Sequence, residues 1–300
     1  MLKEAIEFLN INPGGTYVDA TLGGGGHAES ILGKLGSGRL IGVDRDQEAI
    51  DASVDRLAMY ANFTAKKSSF HDLPDLLDTL GVKKIDGVLY DLGISSFQID
   101  MARRGFSYQQ DGPLDMRMDV SANLTAGHIV NTYDEKQIAR ILFEHGEEKQ
   151  AKKFARAICL ERKLGKIEST IQLADLIKKN SKKKRGGTAH PAMRSFMALR
   201  IAVNNELEPL SDSIKNIVPY LNEDGRIVVI TFHSLEDRIV KNTLRLLQNP
   251  CICPRDIPYC VCGKKPKLRL LSKKPTTPAR AELDANSRSF SAKLRGAARL

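Results

Sequence analysis

The chain has 300 residues, of which 42% are hydrophobic and 27% are charged, and this composition excludes intrinsic disorder as its main state. The longest nearly continuous apolar run, residues 227–232, is far shorter than the roughly 20 residues of a membrane-spanning helix. The first ten residues lack the features of a secretion signal, so we expect a cytoplasmic protein without a membrane partner. Residues 1–150 carry 15 basic and 23 acidic side chains, a net charge of −8, whereas residues 151–300 carry 31 and 13, a net charge of +18.

The first 95 residues alternate between short β-branched runs and amphipathic stretches, a pattern typical of a parallel sheet wound by helices. The predicted strands are Thr16–Ala20, Leu40–Val43, Phe63–Lys67 and Ile85–Tyr90, and the predicted helices between them are His27–Leu35, Gln47–Tyr60 and Leu73–Leu80. A fold of this kind binds its ligand at the carboxyl ends of the strands.

From about residue 104 to residue 205 the pattern is helical, with helices predicted at Asp134–Phe143 and Glu147–Leu164. Another buried strand follows at Gly225–Thr231, so the helical block interrupts the sheet. We therefore predict an α/β, Rossmann-like doubly wound domain of residues 1–103 and 206–300 with an inserted all-helical domain of residues 104–205. The last 50 residues are expected to be loop with one strand near Leu268–Leu271.

Four successive glycines, Gly23 to Gly26, follow the first predicted strand and precede His27 at the start of a helix. Glycines here let the backbone turn tightly and approach a ligand at a helix N-terminus. The loop also matches a loose dinucleotide-binding fingerprint, so it does not by itself identify the nucleotide that binds. The alternative is a structural turn that binds no ligand.

Carboxylates end two further predicted strands. Asp44 lies 21 residues after Gly23, where it can accept hydrogen bonds from both ribose hydroxyls of an adenosine; the alternative is a helix N-cap or a partner of Arg45. Asp91 ends the fourth strand and is followed by Gly93, Ser95 and Ser96. Polar groups at the ends of adjacent strands indicate a ligand site.

Eight segments of the chain carry a resemblance to a known family. They are TLGGGGH from Thr21, VDRD from Val43, DLGISS from Asp91, RGFS from Arg104, DGPLDMRMD from Asp111, HPA from His190, ALRIAVNNEL from Ala198 and TFHSLEDRIVK from Thr231. In order and spacing they resemble the bacterial ribosomal RNA small subunit methyltransferase H family over nearly the whole chain. One departure is Phe97, where the family usually has proline.

The resemblance implies a methyltransferase that uses S-adenosyl-L-methionine to methylate the exocyclic N4 amine of one cytidine in the decoding region of 16S ribosomal RNA. Its partner would be small-subunit ribosomal RNA or a ribosomal particle, and a homodimer is one option for its oligomeric state. Carried over by motif, the cofactor-binding residues are Gly25, Gly26, His27, Asp44, Phe70, Asp91 and Gln98, and the catalytic residues are Asp91 and Ser95. Alternatively, Phe70 is a core residue, and His27 only begins a helix.

Two aromatic residues, an acidic loop and a histidine each have more than one possible role. Phe106 and Tyr108 could form a slot for an extruded base or pack between domains. The acidic loop 111–119 is interpreted as salt-bridged rather than as a magnesium site. We expect His233, with Glu236 and Asp237, to shape the base or RNA pocket.

Cys251, Cys253, Cys260 and Cys262 form two Cys-x-Cys pairs six residues apart. Four thiolates suffice for one tetrahedral zinc ion, but this spacing is uncommon and exposed thiols in a loop are the alternative, so the predicted site contains no metal.

The basic residues are expected to contact RNA phosphates. They are the runs 178–185 and 264–274, with Arg288, Lys293, Arg295 and Arg299. Three alternative functions share some of these features: a nicotinamide-dependent oxidoreductase, a noncatalytic RNA-binding assembly factor and another nucleic-acid amine methyltransferase.

Overall fold

The structure is a computed structural model that describes residues 1–181, 190–254 and 259–300. It divides into two compact units, one formed by Met1–Gly93 with Leu207–Leu300 and the other by Ile94–Glu206. The first unit ends at residue 93 rather than at the predicted 103, because the chain from Ile94 onwards packs with the helical core.

The elements are numbered along the chain. The strands are β1 (Thr16–Asp19), β2 (Arg39–Asp44), β3 (Phe63–Lys67), β4 (Ile85–Asp91), β5 (Leu221–Thr231), β6 (Leu268–Leu270) and β7 (Lys293–Arg299). The helices are α1 (Leu2–Leu9), α2 (Gly26–Leu32), α3 (Gln47–Arg56), α4 (Leu73–Thr79), α5 (Ser96–Asp100), α6 (Ala126–Thr132), α7 (Glu135–Glu144), α8 (Ala151–Glu161), α9 (Thr170–Asn180), α10 (Met193–Asn204), α11 (Leu210–Ile217), α12 (Ser234–Gln248) and α13 (Arg280–Ala285). Within the described ranges, no helix is long and apolar enough to cross a membrane.

All seven strands form one sheet in the order β3-β2-β1-β4-β5-β7-β6. The first five are parallel, and β7 pairs antiparallel with both β5 and β6. Alternate strand residues are buried on opposite faces of the sheet. Val18, Val88 and Val229 pack with α4, α11 and α12, whereas Leu40 and Leu89 pack with α1 and α2. The predicted α/β doubly wound fold is therefore confirmed.

The last strand, β7, was not predicted, because its sequence LRGAAR lacks the β-branched residues typical of a strand. Its small residues have a packing role. A Cβ atom on Gly296 would lie 2.5 Å from Cδ1 of Phe8 in α1, so only glycine allows the helix and the strand to approach this closely.

Charged residues of β7 bind to the fold itself. Arg295 Nε and Lys293 Nζ contact the carboxylate of Asp237 in α12 at 2.7 and 3.2 Å. Arg299 Nη1 donates hydrogen bonds to the backbone carbonyls of Val218, Pro219 and Leu221 at 2.7 to 2.8 Å. These bonds give the three basic residues a structural role within the unit, and their contact with RNA phosphates stays a prediction.

The helical unit has its own core, to which α6 to α10 contribute buried residues such as Ile129, Leu142, Phe154 and Phe196. Several residues of the sequence motifs join its segments together. The guanidinium of Arg104 donates to the carbonyls of Arg117 and Met118 at 3.0 and 3.1 Å. The amide of Asn204 accepts from Met118 N at 2.7 Å and donates to Met116 O at 2.8 Å.

We expect Asp237→Asn to destabilise the sheet unit by about 2 to 3 kcal/mol, because the half-buried Arg295 loses its charged hydrogen-bond acceptor. Burial alone would raise the pKa of Asp237, but Arg295 and Lys293 outweigh it and hold that pKa below its ordinary value. This stabilisation is therefore present above the unfolded-state pKa of about 4 and is lost as the pH falls through the lower folded-state value.

Urea unfolding at neutral and acidic pH measures this effect. Asp212→Asn is the matched control, since Asp212 pairs with Lys215 on the exposed surface of α11 and should contribute little. Equal stability of the two variants at neutral pH would contradict the assignment.

Candidate functional site

Three carboxylates stand at the carboxyl ends of three adjacent strands. Asp19, Asp44 and Asp91 are the last residues of β1, β2 and β4, and β1 lies between β2 and β4 in the sheet. The carboxyl ends of parallel strands lie at one edge, so the fold gathers these acidic side chains although 72 residues separate the first from the last.

The glycine loop lies between β1 and α2 and is attached to β2 and α3. Gly23 N donates to Asp44 Oδ2 at 2.8 Å, and Ser53 Oγ donates to Gly23 O at 2.7 Å. Gly25 has a φ of 75° and precedes α2 as its N-cap, and a Cβ atom there would lie 3.1 Å from Ser53 Oγ. Of the residues described, none caps the N-terminus of α2 with its side chain, so the first backbone N–H groups of this helix can bind an anion.

Asp44 holds the loop and keeps acceptor capacity. Its Oδ1 accepts from Asp46 N at 2.9 Å, and its Oδ2 accepts from Gly23 N. The backbone N–H of Arg45 bonds to the same carboxylate. A carboxylate has about four acceptor positions, so acceptor capacity remains for a ligand. Burial raises the pKa of Asp44 above its ordinary value. The N-cap alternative for Asp44 was wrong, since Asp46 caps α3 by accepting from Glu48 N.

His27 and Asp91 form a pair at this edge. His27 Nδ1 lies 3.3 Å from Asp91 Oδ2, and Asp91 N donates to Thr21 Oγ1 at 2.6 Å. Burial would lower the pKa of His27, but the hydrogen bond and the charge of Asp91 outweigh it and raise that pKa. His27 therefore does more than start α2: it holds the Asp91 carboxylate in place.

In the part of the chain that the structure describes, three side-chain atoms at this edge are buried without a hydrogen-bond partner: Asp19 Oδ2, His27 Nε2 and Asp91 Oδ1. Leaving such atoms unsatisfied costs about 1 to 3 kcal/mol each, so their concentration at one edge indicates a polar ligand. Burial raises the pKa of Asp19 to about 7. An ammonium group beside Asp19 and Asp91 would supply both the missing donors and a neutralising charge.

Phe70 follows β3, and its contacts show how much of the ring belongs to the core. It is half-buried and packs against the sheet core, with its ring centroid 5.9 Å from that of Tyr90. The guanidinium carbon of Arg45 lies 5.4 Å from the centroid of the same ring. Ser213 Oγ donates to the Phe70 carbonyl at 2.7 Å, which fixes the backbone at this point.

Ser95 and Gln98 belong to the helical unit. Ser95 Oγ accepts from Gln98 N at 3.2 Å, and Gln98 Oε1 accepts from Ser95 N at 3.1 Å, which makes a capping box at the start of α5. Gln98 is buried. The first contribution of both side chains is therefore to begin this helix.

Asp19 and Thr21 are site residues that the sequence prediction did not name. Asp19 is the polar end of the buried strand sequence TYVD, the same signal that identified Asp44 and Asp91. Thr21 belongs to the TLGGGGH motif, but only the structure shows that its hydroxyl accepts the backbone N–H of Asp91.

Other predicted groups have structural partners within their own unit. Phe106 is buried in the helical core, and Tyr108 stacks on His190 at 4.8 Å between ring centroids. The salt-bridged interpretation of loop 111–119 agrees with the contact of Arg117 Nη2 with Asp115 Oδ2 at 2.7 Å. His233 caps α12 in a capping box with Glu236, so the expectation that it shapes an RNA pocket has no support in its contacts.

The basic run 178–185 is described only in part. Lys178 and Lys179 are exposed at the end of α9, and residues 182–185 lie outside the described ranges. In the run 264–274, Lys264, Lys265 and Lys267 are exposed, whereas Arg269 pairs with Asp224 at 2.9 Å.

Comparison with known proteins identifies the family. The model of the MraW methylase family matches residues 1–300. The chain belongs to this family. A ribosomal RNA small subunit methyltransferase H of Carboxydothermus hydrogenoformans is 50% identical over 301 residues, which cover 100% of this chain and 96% of that protein. One from Clostridium botulinum is 48% identical over 296 residues, covering 98% and 96%.

Solved structures resemble the chain more distantly. An rRNA methylase from Streptococcus thermophilus has a TM-score of 0.42 at 10% identity, with 100% of this chain and 93% of that chain covered. The N-methyltransferase NodS from Bradyrhizobium japonicum has a TM-score of 0.44 at 8% identity, with coverage of 99% and 93%.

The family assignment confirms the resemblance and makes this chain a methyltransferase whose methyl donor is S-adenosyl-L-methionine. The residues at the carboxyl edge fit that cofactor chemically. It carries an ammonium group for unsatisfied carboxylate oxygens, a carboxylate for helix N–H groups and ribose hydroxyls for an acceptor such as Asp44.

We expect Asp44→Ala to weaken the binding of S-adenosyl-L-methionine by about 10- to 150-fold, the equivalent of losing charged hydrogen bonds worth about 1.5 to 3 kcal/mol. The loop also loses its bond from Gly23 N to Asp44, so the effect combines ligand contact and loop position. Titration calorimetry measures the affinity. Asp51→Ala, which removes an exposed carboxylate of α3, is the control, and an Asp44→Ala protein with unchanged affinity would refute the role of Asp44.

Proposed function

We propose that this protein methylates the exocyclic N4 amine of one cytidine in the decoding region of small-subunit ribosomal RNA. Relatives at about half identity over nearly the full chain are named ribosomal RNA small subunit methyltransferase H, which supports the substrate class. The observation that carries the chemistry is the buried Asp91 Oδ1, an acceptor without a partner among the residues that the structure describes, at the edge where the glycine loop begins α2.

Some residues at the carboxyl edge of the sheet would bind the cofactor, and others would bind the substrate. Asp44 would accept the ribose hydroxyls, Phe70 would cover the adenine, and the loop at Gly25 and Gly26 would bind the methionine carboxylate through backbone N–H groups. Asp19, which the sequence prediction did not include, would accept from the methionine ammonium group, since its Oδ2 is buried and has no partner in the described ranges. S-adenosyl-L-methionine supplies an electrophilic methyl group on a sulfonium.

The target amine needs help from the protein. The lone pair of cytosine N4 is delocalised into the ring, so the amine must be held by acceptors that aim the lone pair at the methyl group. Asp91 Oδ1 would accept one amine N–H, and the pairing of Oδ2 with His27 would keep the carboxylate oriented. After transfer the nitrogen sheds one proton, for which the same carboxylate is the acceptor on this edge.

Ser95 is the second candidate for contact with the amine. Its hydroxyl oxygen accepts the N–H of Gln98, and its own proton can still be donated. Gln98 would act through this capping box, by fixing where Ser95 begins α5. In the sequence, Ser95 comes four positions after Asp91, the last residue of β4.

An RNA substrate accounts for the basic excess of residues 151–300. Besides Lys293, Arg295 and Arg299, which bind within the fold, the two basic runs have exposed lysines at 178, 179, 264, 265, 267, 273 and 274. Phosphate contacts by such residues would supply sequence-independent affinity, while the extruded base would be read at the edge of the sheet. A ribosomal substrate would place the protein in the cytoplasm.

Among the alternatives, a nicotinamide-dependent oxidoreductase and a noncatalytic assembly factor lose their basis, because the chain belongs to a methylase family. The remaining alternative, methylation of another nucleic-acid amine, is distinguished from cytidine N4 methylation by analysis of the product. Small-subunit RNA treated with enzyme and cofactor should yield N4-methylcytidine after digestion, identified by mass spectrometry. Methylation at a different atom would overturn the proposal.

We expect Asp91→Asn to lower turnover on small-subunit particles by about 10²- to 10⁴-fold at saturating cofactor, since the asparagine lacks the charge that orients the amine and receives its proton. The affinity for S-adenosyl-L-methionine should fall by about tenfold or less. Asp44→Ala provides the comparison, because it should weaken cofactor binding more than turnover at saturation. Near-normal turnover of Asp91→Asn would remove Asp91 from the amine site.

Replacement of Lys182, Lys183, Lys184 and Arg185 by glutamine should weaken RNA binding and flatten its dependence on salt. Each lost phosphate contact should reduce the slope of log affinity against log salt by about 0.7 to 0.9. Cofactor affinity should not change. A salt series of RNA affinities measures the slope, with Lys215→Gln as the control because that lysine pairs with Asp212 on α11. Parallel lines for the variant and the unaltered protein would exclude this run from the RNA contacts.

A further inference from the structure

The segment between α12 and β6 brings four cysteine side chains together. The Sγ atoms of Cys251, Cys253, Cys260 and Cys262 all lie within 4.8 Å of one another. Cys260 Sγ is 3.5 Å from the Sγ atoms of both Cys251 and Cys262 and 3.9 Å from that of Cys253. Six residues separate the two Cys-x-Cys pairs in the sequence, so the cluster joins two parts of the loop that are not neighbours along the chain.

These distances fit a metal site and not disulfides. A disulfide requires about 2.05 Å between sulfur atoms, and the four cysteines are free thiols here. Four thiolates around a tetrahedral zinc ion, with Zn–S bonds of about 2.3 Å, place the sulfur atoms about 3.8 Å apart. The three distances from Cys260 Sγ, 3.5 to 3.9 Å, lie on either side of that value, and all four sulfur atoms lie within 4.8 Å of one another.

Backbone N–H groups point at the sulfur atoms, as thiolate ligands require. Val261 N donates to Cys253 Sγ at 3.3 Å, and the backbone N–H groups of Ile252 and Lys264 bond to the side chain of Cys262. Such bonds orient thiolates and offset part of their negative charge. Exposed Lys264, Lys265 and Lys267 follow directly and would offset the net charge of −2 that zinc leaves on four thiolates.

The segment has little apolar burial to hold it together. Ile252, Tyr259 and Val261 are 65%, 73% and 65% exposed, so the residues between and beside the cysteines do not enter a core. A loop of this kind needs another source of order, and a structural metal provides one in segments that cannot build a core.

From this geometry we propose that Cys251, Cys253, Cys260 and Cys262 bind one structural Zn²⁺ ion as four thiolates. Four soft sulfur donors without an oxygen or nitrogen ligand favour zinc over magnesium or calcium, and a closed four-ligand set gives no open position for catalysis. Binding would convert four thiols to thiolates and release up to four protons to solvent. The proposal opposes the prediction of a site without metal and is independent of the proposed methylation reaction.

Metal analysis of the full-length protein tests this site. The purified protein should contain one zinc per chain, and Cys253→Ser with Cys262→Ser should abolish the stoichiometric zinc. Cys159→Ser is the matched control, because Cys159 is a half-buried cysteine of α8 outside the cluster, and this variant should retain the metal. Cofactor affinity, measured on each variant, shows that the sheet unit is folded.

A second measurement needs no variant. Cobalt added to the metal-free protein should give the visible absorption bands of tetrahedral cobalt thiolate, and zinc should remove them. A protein without stoichiometric metal, with all four thiols reacting freely in the native state, would overturn the proposal. Two disulfides found by mass spectrometry of the unreduced protein, or zinc retained equally by the double serine variant, would overturn it as well.

Discussion

The buried carboxylates at the ends of three adjacent strands are the constraint around which the sheet unit is organised. Asp19 Oδ2 and Asp91 Oδ1 are buried acceptors without donors among the described residues, and burial raises the pKa of Asp19 to about 7. Such an arrangement destabilises the unliganded protein, since each unsatisfied acceptor costs free energy. It persists because the surrounding backbone leaves the carboxylates no other position: strand pairing fixes where β1 and β4 end, and Thr21 fixes the start of the segment after β4.

The glycine loop depends on the same edge. Asp44 accepts a hydrogen bond from Gly23, and Ser53 donates one to the carbonyl of that residue, so β2 and α3 determine the path of the loop after β1. This coupling means that a carboxylate suited to ribose hydroxyls also sets the position of the N–H groups suited to a carboxylate. Cofactor recognition therefore rests on one connected set of hydrogen bonds rather than on independent contacts.

Charge has two different uses in the basic part of the chain. Arg295 and Arg299 satisfy a buried carboxylate and three backbone carbonyls, and both hold β7 within the sheet. Lys264, Lys265 and Lys267 lie on the surface next to the cysteine cluster. A count of positive charges treats these groups alike, although the first two are structural and the three lysines are available to solvent and to a partner.

The amino-acid sequence by itself determined the parallel part of the sheet, the helical interruption and the acidic ends of β2 and β4. These features follow from local patterns: β-branched runs predict strands, and a polar residue at the end of a buried run marks the carboxyl edge. The motifs also carried the family, since strings such as DGPLDMRMD are specific without any knowledge of their contacts.

Only the tertiary structure decided the place of β7, the partners of Arg295 and Arg299, and the roles of Asp19 and Asp46. The strand β7 is made of small and basic residues whose strand conformation comes from pairing with β5 and β6 on both sides and from the close approach of α1. Likewise, nothing local distinguishes Asp44 from Asp46 as a helix cap, or an arginine that meets Asp237 from one that meets phosphate. Partners distant in sequence settle these questions, because burial and hydrogen bonding depend on which segments the fold brings together.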